Sequence, residues 1–115
     1  LLILSGGETT VAPGATRGSG GRNQTYLLAL LEALHGARGI CALAADTDGI
    51  DGTGPAAGAW FDADTAGRAR ALGLDPAASL AQWDAGGFFA ALNQTIETGP
   101  TGTNVNDFRA IAVGL

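Results

Sequence analysis

Ile40-Cys41-Ala42-Leu43-Ala44-Ala45-Asp46-Thr47-Asp48-Gly49-Ile50-Asp51-Gly52 passes from a short apolar run directly into a loop that carries three aspartates. The run has the length and apolarity of a buried strand, and Gly49 and Gly52 let the backbone bend sharply where that strand ends. Open α/β sheets gather their chemistry at the carboxyl ends of strands, so a carboxylate loop at this place is a candidate site.

Upstream, Leu1 to Leu4 reads as a strand stopped by Ser5-Gly6-Gly7, Glu8 to Val11 as a second, and Pro13-Gly14 as a turn. The glycine-rich Arg17-Gly18-Ser19-Gly20-Gly21-Arg22 precedes a helix in which Leu27, Leu30, Leu31 and Leu34 fall at i, i+3, i+4 and i+7. Asn23 is the expected N-cap and Gly36 the stop, with His35 a partner for the helix C-terminal dipole. Downstream, the alanines of Ala56 to Phe61 favour a short helix, although Trp60-Phe61 would suit a strand. Asp64 or Thr65 caps a helix over Ala66 to Leu72, Pro76 opens another reaching about Trp83, and Phe88, Phe89 and Leu92 mark one more. Thr95 to Thr98 and Phe108 to Val113 are strand-like. Strands alternating with helices predict a single α/β domain.

A chain of 115 residues can bury the core of one domain. Its net charge of -5 and pI near 4.4 oppose nucleic-acid and anionic-membrane partners. Cys41 is the only cysteine, which excludes a disulfide within the chain and suggests a small core residue. No apolar run approaches the roughly 20 residues that span a bilayer and no secretory leader is visible, so the cytoplasm is the expected location. A chain that starts without methionine inside a strand reads as a piece of a longer protein. All six basic residues are arginine, so a lysine needed for phosphoryl transfer must come from elsewhere.

Three constellations carry chemistry. Gly20-Gly21-Arg22-Asn23 opens the leucine-rich helix, where unpaired N–H groups and the dipole favour an anion and Arg22 adds a planar fork for carboxylate or phosphate. Against this, the glycines could simply permit a tight loop while Arg22 pairs with an acid of its own chain. Asp46, Asp48 and Asp51 suit magnesium, a substrate hydroxyl or plain turn formation, and Asp51 is the strongest structural candidate. A calcium hand is excluded, because the third acid comes one residue late and Ala57 stands where the closing glutamate belongs. The segment Thr98-Gly99-Pro100-Thr101-Gly102-Thr103-Asn104-Val105-Asn106-Asp107 mixes hydroxyls, amides and glycines in a way suited to a nucleotide or polyol, or to an ordinary polar loop. Rossmann and Walker fingerprints both fail.

Taken together, Ser5-Gly6-Gly7-Glu8-Thr9-Thr10-Val11, Gly20-Gly21-Arg22-Asn23-Gln24, Thr47-Asp48-Gly49-Ile50-Asp51-Gly52 and Thr98 to Asp107 occur in the order that resembles the MOFRL domain, the C-terminal part of type II glycerate 2-kinases, which are also called hydroxypyruvate reductases. The resemblance covers nearly the whole chain. It implies an α/β domain with a mixed sheet and flanking helices, facing an N-terminal Rossmann-like domain of the same protein across a cleft. It also implies ATP-dependent phosphorylation of D-glycerate to 2-phosphoglycerate, with ATP and Mg2+ required and the catalytic lysine in the other domain. Arg22 and Asp48 would then be catalytic, Gly20, Gly21, Asn23, Thr101, Gly102, Thr103, Asn104 and Asn106 would bind substrate or phosphate, and Asp46 would serve the metal. A homo-oligomer is compatible with this picture. NAD(P)H-dependent reduction of hydroxypyruvate, and a noncatalytic lid or assembly module, are the competing functions. The chain departs from the family pattern at Pro13, at Thr25, and at Ala85-Gly86, where a Ser-Tyr pair is usual.

Overall fold

A computed structural model describes residues 1–7 and 18–114. The expected strand over Glu8 to Val11, the Pro13-Gly14 turn and Arg17 lie outside the described residues. Five strands, β1 (Leu2–Gly7), β2 (Ile40–Asp46), β3 (Gly58–Phe61), β4 (Thr95–Ile96) and β5 (Asp107–Val113), form one sheet in the order β1-β5-β2-β3-β4. Four helices, α1 (Arg22–Leu34), α2 (Thr65–Ala71), α3 (Pro76–Ala81) and α4 (Ala85–Ala91), complete the α/β fold. Every ladder among the described strands is antiparallel, where the family resemblance implied a mixed sheet.

The segment read as a helix over Ala56 to Phe61 is instead strand β3. Helix propensity loses here to tertiary context. Ala59 and Phe61 alternate inward with Trp60 outward, and Gly58 lies so close to β2 that a Cβ would collide with the Ala44 carbonyl oxygen. The other helices form near their expected positions. Asp75 accepts from Ala77 N–H to cap α3 behind Pro76, and Asp84 accepts from Gly87 N–H to cap α4.

The core lies on one face of the sheet. Leu27, Leu28 and Leu31 of α1 and Phe88 and Phe89 of α4 pack with Ala42, Ala44, Ala59 and Phe61, and with Ile111 of β5. Strand register places the opposite parity on the other face: Leu2 and Leu4 beside Ala112 and Ala110, then Cys41 and Leu43, then Trp60. None of these belongs to the core cluster. Cys41, expected inside, is only half-buried on this second face.

Candidate functional site

One end of the sheet gathers the sequence motifs. Asp46 ends β2 and Asp107 begins β5 directly opposite it, with Gly7 at the end of β1 as the next neighbour. Both carboxylates point to the helix-covered face, toward the first turn of α1. Arg22, the first residue of that helix, donates from Nε to Asp107 Oδ2 at 3.0 Å and from Nη2 to Asp107 Oδ1 at 2.8 Å and Asp46 Oδ2 at 2.7 Å. The Asp107 side chain is fully buried and that of Asp46 is 5% exposed, while Arg22 remains 29% exposed. The bidentate fork fixes the guanidinium in one plane. Arg109 supports the cluster from behind: its Nη1 stands 3.7 Å from Asp107 Oδ2, its Nε donates to Ser5 Oγ, its Nη2 donates to the Gly6 carbonyl, and its guanidinium lies over the Tyr26 ring.

The N-terminus of α1 is occupied by the protein itself. Asp51 is fully buried and accepts from Asn23 N–H at 3.1 Å and Gln24 N–H at 2.9 Å. The N–H groups that the sequence reading offered to a ligand anion are thus used by a carboxylate from the next loop, which meets both the orphan donors and the dipole. Asn23 is not the N-cap; Gly21 is, and Asn23 Nδ2 bridges Asp51 Oδ1 and Asp107 Oδ1. The glycines serve this packing. A Cβ on Gly21 would meet Asp51 Oδ1 at 2.6 Å, and Gly20 pairs its backbone with Thr53 in both directions. Gly86 lets α4 approach: its N–H donates to the Ser19 carbonyl, and a Cβ there would meet Gly20 N at 2.7 Å.

The two polar loops lock together beside the cluster. Asp48 Oδ1 accepts from Ile50 N–H, and Asp46 Oδ1 accepts from Asp48 N–H, so the aspartates shape their own turn. Thr101 N–H donates to the Asp48 carbonyl and Thr101 Oγ1 to the Thr47 carbonyl. Asn106 O accepts from both the N–H and the hydroxyl of Thr47, and Asn104 Oδ1 accepts from Asn106 N–H. Gly49 sits against the Gly99 carbonyl, where a side chain would not fit. Thr101, Gly102, Thr103, Asn104 and Asn106 are all exposed on the surface of this loop.

Burial pushes the Asp46 carboxyl above its usual pKa and the Asp48 carboxylate pushes the same way, against the pull of the Asp48 N–H and of Arg22. As a metal ligand Asp46 is poorly placed. It already holds Arg22, and among the described residues no group of three His, Cys, Asp or Glu side chains could hold an ion. Sequence reasoning counted Asp107, which organises the cluster, only as the carboxylate that closes the Thr98 to Asp107 loop, because it stands at the join of a polar loop and an apolar strand. The available signal was its i, i+2 spacing with Arg109, which puts both on one face of β5.

A domain with this antiparallel sheet, a guanidinium clamped between two strand-end carboxylates and two interlocked polar loops belongs to the MOFRL family, whose model matches residues 1–107. The chain is 42% identical over 113 residues to the D-glycerate 2-kinase of Thermotoga maritima, covering 98% of this chain and 26% of that protein. It is 54% identical over 114 residues to an Agrobacterium vitis protein whose name, hydroxypyruvate reductase, is provisional, covering 98% of this chain and 26% of the relative. A crystal structure of the Thermotoga maritima glycerate kinase superposes with a TM-score of 0.90 at 39% identity, over 97% of this chain and 27% of that one. The chain therefore spans about a quarter of the length of these relatives. Among the described residues no helix is long and apolar enough to cross a membrane.

Proposed function

We propose that this chain is the C-terminal domain of a glycerate 2-kinase and forms one wall of a cleft in which ATP phosphorylates D-glycerate to 2-phosphoglycerate, the other wall being an N-terminal domain of the same polypeptide. The observation that carries this reading is the guanidinium of Arg22, held by Asp46 and Asp107 and partly exposed at the sheet end that also bears the Thr101 to Asn106 loop. Transfer would proceed in line, the glycerate 2-hydroxyl oxygen bonding to the γ-phosphorus as the bond to ADP breaks. Positioning and charge neutralisation dominate such chemistry. Arg22 would steady the substrate carboxylate or the moving phosphoryl group, and Asp48 would orient the hydroxyl. The exposed Thr101, Thr103, Asn104 and Asn106 would line the cleft. Gly20 supports the site by pairing its backbone with Thr53, Gly21 by packing against Asp51, and Asn23 by donating its N–H to Asp51 and its Nδ2 to Asp51 and Asp107. Among the described residues no three His, Cys, Asp or Glu side chains cluster, so a magnesium ion would take most of its ligands from the ATP phosphates. The work belongs in the cytoplasm, where ATP is found.

The provisional name of the Agrobacterium vitis relative supports hydroxypyruvate reduction as a second reading. Full-length protein supplied with ATP, Mg2+ and D-glycerate should yield 2-phosphoglycerate, detected by mass spectrometry and by conversion with an enolase. Consumption of NADH or NADPH with hydroxypyruvate, and no phosphoglycerate, would replace the kinase reading with the reductase.

A further inference from the structure

A second guanidinium is buried next to the Arg22 cluster, where a charge is costly to keep. Arg109 stands on β5 between Ser5 of β1 and Ala44 of β2, on the helix-covered face, and is 8% exposed. Its Nε donates to Ser5 Oγ at 3.0 Å and its Nη2 to the Gly6 carbonyl at 2.7 Å, and its Cζ lies 5.5 Å from the centroid of the Tyr26 ring. Nη1 is buried without a hydrogen-bond partner among the described residues and stands 3.7 Å from Asp107 Oδ2. An apolar side chain often serves stability as well as a buried ion pair does, so packing alone does not account for a charge here. We propose that Arg109 is a positioning residue for anion binding by Arg22: acting through Asp107, it offsets the negative charge of the cluster, so that the exposed edge of Arg22 can attract a carboxylate or phosphoryl group. The proposal rests on the kinase reading in one respect, that the ligand of Arg22 is an anion.

The charges around Arg22 call for such an offset. Among the described residues, the Arg22 guanidinium and the Asp46 and Asp107 carboxylates that hold it carry one net negative charge. Asp48, whose N–H donates to Asp46, adds another, while Asp51 is matched separately by the N-terminus of α1. A cluster of that sign repels an anion even where a guanidinium faces it. Arg109 brings the group of Arg22, Asp46 and Asp107 to neutrality. It does so without meeting the ligand itself, because Ser5, Gly6 and the Tyr26 ring hold two of its nitrogens and its face, and its side chain is 9% exposed against 29% for Arg22. The same contacts tie Ser5-Gly6, the start of the first family motif, to the cluster.

The test separates charge from hydrogen bonding at position 109 in the full-length protein. Arg109→Lys keeps the charge and loses the planar fork to Ser5 and Gly6, whereas Arg109→Gln keeps a donor and loses the charge. Titration calorimetry measures the affinity of each variant for D-glycerate and for inorganic phosphate, and thermal melts report folding. For whichever anion the wild type binds, the expected affinity is within about twofold of wild type in Arg109→Lys, even where its Tm falls, and about tenfold weaker in Arg109→Gln. Affinity lost in Arg109→Lys, or kept in Arg109→Gln, would overturn the proposal, and so would a wild type that binds neither anion. Arg109→Met takes the place of a glutamine variant that does not fold; if neither folds, the residue is structural and the proposal fails. Phosphoglycerate formation by the wild type is measured on the same preparation. Affinity that follows the charge without turnover keeps the proposal and refutes the kinase; turnover with affinity indifferent to the charge does the reverse.

Discussion

Arg22 pairs with acids of its own chain, and that changes what its replacement should do. The sequence alone predicts that Arg22→Lys loses activity while leaving stability untouched. With Asp107 fully buried and bonded through two parallel N–H donors, removing the fork leaves a buried carboxylate without its matched partner. Arg22→Ala is expected to cost about 3 kcal/mol of stability, and Arg22→Lys part of that, seen as a lower Tm. In the full-length enzyme Arg22→Lys should also lower kcat on the order of a hundredfold, as for loss of a charge-assisted transition-state contact. A variant with normal Tm and normal kcat/KM would remove Arg22 from both roles. Asp46 gives a second prediction through pH. Its folded pKa is raised above the ordinary 3.8, so the folded chain holds the proton more tightly than the unfolded one. Its stabilising contribution is full below the unfolded pKa and is lost as pH climbs through the folded value. Asp46→Asn cannot ionise and escapes that loss. The Tm of Asp46→Asn minus that of the wild type should therefore rise as pH increases from about 3.8, and a difference that stays flat or falls would contradict the raised pKa.

At the scale of elements, the first turn of α1 is stable because a distant loop caps it. Asp51→Ala removes the acceptor of two buried helix N–H groups and of Asn23 Nδ2, so a loss of about 2 kcal/mol is expected. Urea unfolding monitored by circular dichroism checks this; a change within error would mean that water replaces the carboxylate. Gly58→Ala should disrupt the β2–β3 ladder, since its Cβ would enter the Ala44 carbonyl. Faster amide exchange at Asp46, whose N–H crosses from β2 to the Ala57 carbonyl beside Gly58, would report it. These elements also show what local sequence can reveal. The leucine spacing of α1, Pro76 behind Asp75 and the apolar run of β2 announce themselves, because each is set by neighbours within a turn or two. β3 was hidden because the close approach of β2 that requires Gly58 is a contact made across the chain.

For the molecule as a whole, the proposed division of the active site between two domains predicts that these 115 residues alone are incomplete as a catalyst. The 115 residues incubated with ATP, Mg2+ and D-glycerate should form no phosphoglycerate, because the chain has no lysine and no facing domain; clear turnover would refute a divided site. Magnesium alone should leave its Tm unchanged, as Asp46 is held by Arg22 and an ion that binds only weakly stabilises little. The α/β class, the family, the acidic charge and the polar motifs are all legible in the residues, since periodicity, charge and ordered glycine motifs are properties of the chain read in line. The residues also mark Asp51 as structural, because an aspartate between glycines is a turn residue before it is anything else. Folding, by contrast, sets which carboxylates Arg22 holds, gives the helix N-terminus to Asp51, puts Asp107 at the centre of the cluster and leaves Cys41 half-buried on the face away from the core. Those facts depend on strand register and on loops packed from far along the chain, where a shift of one residue turns every side chain to the other side of the sheet.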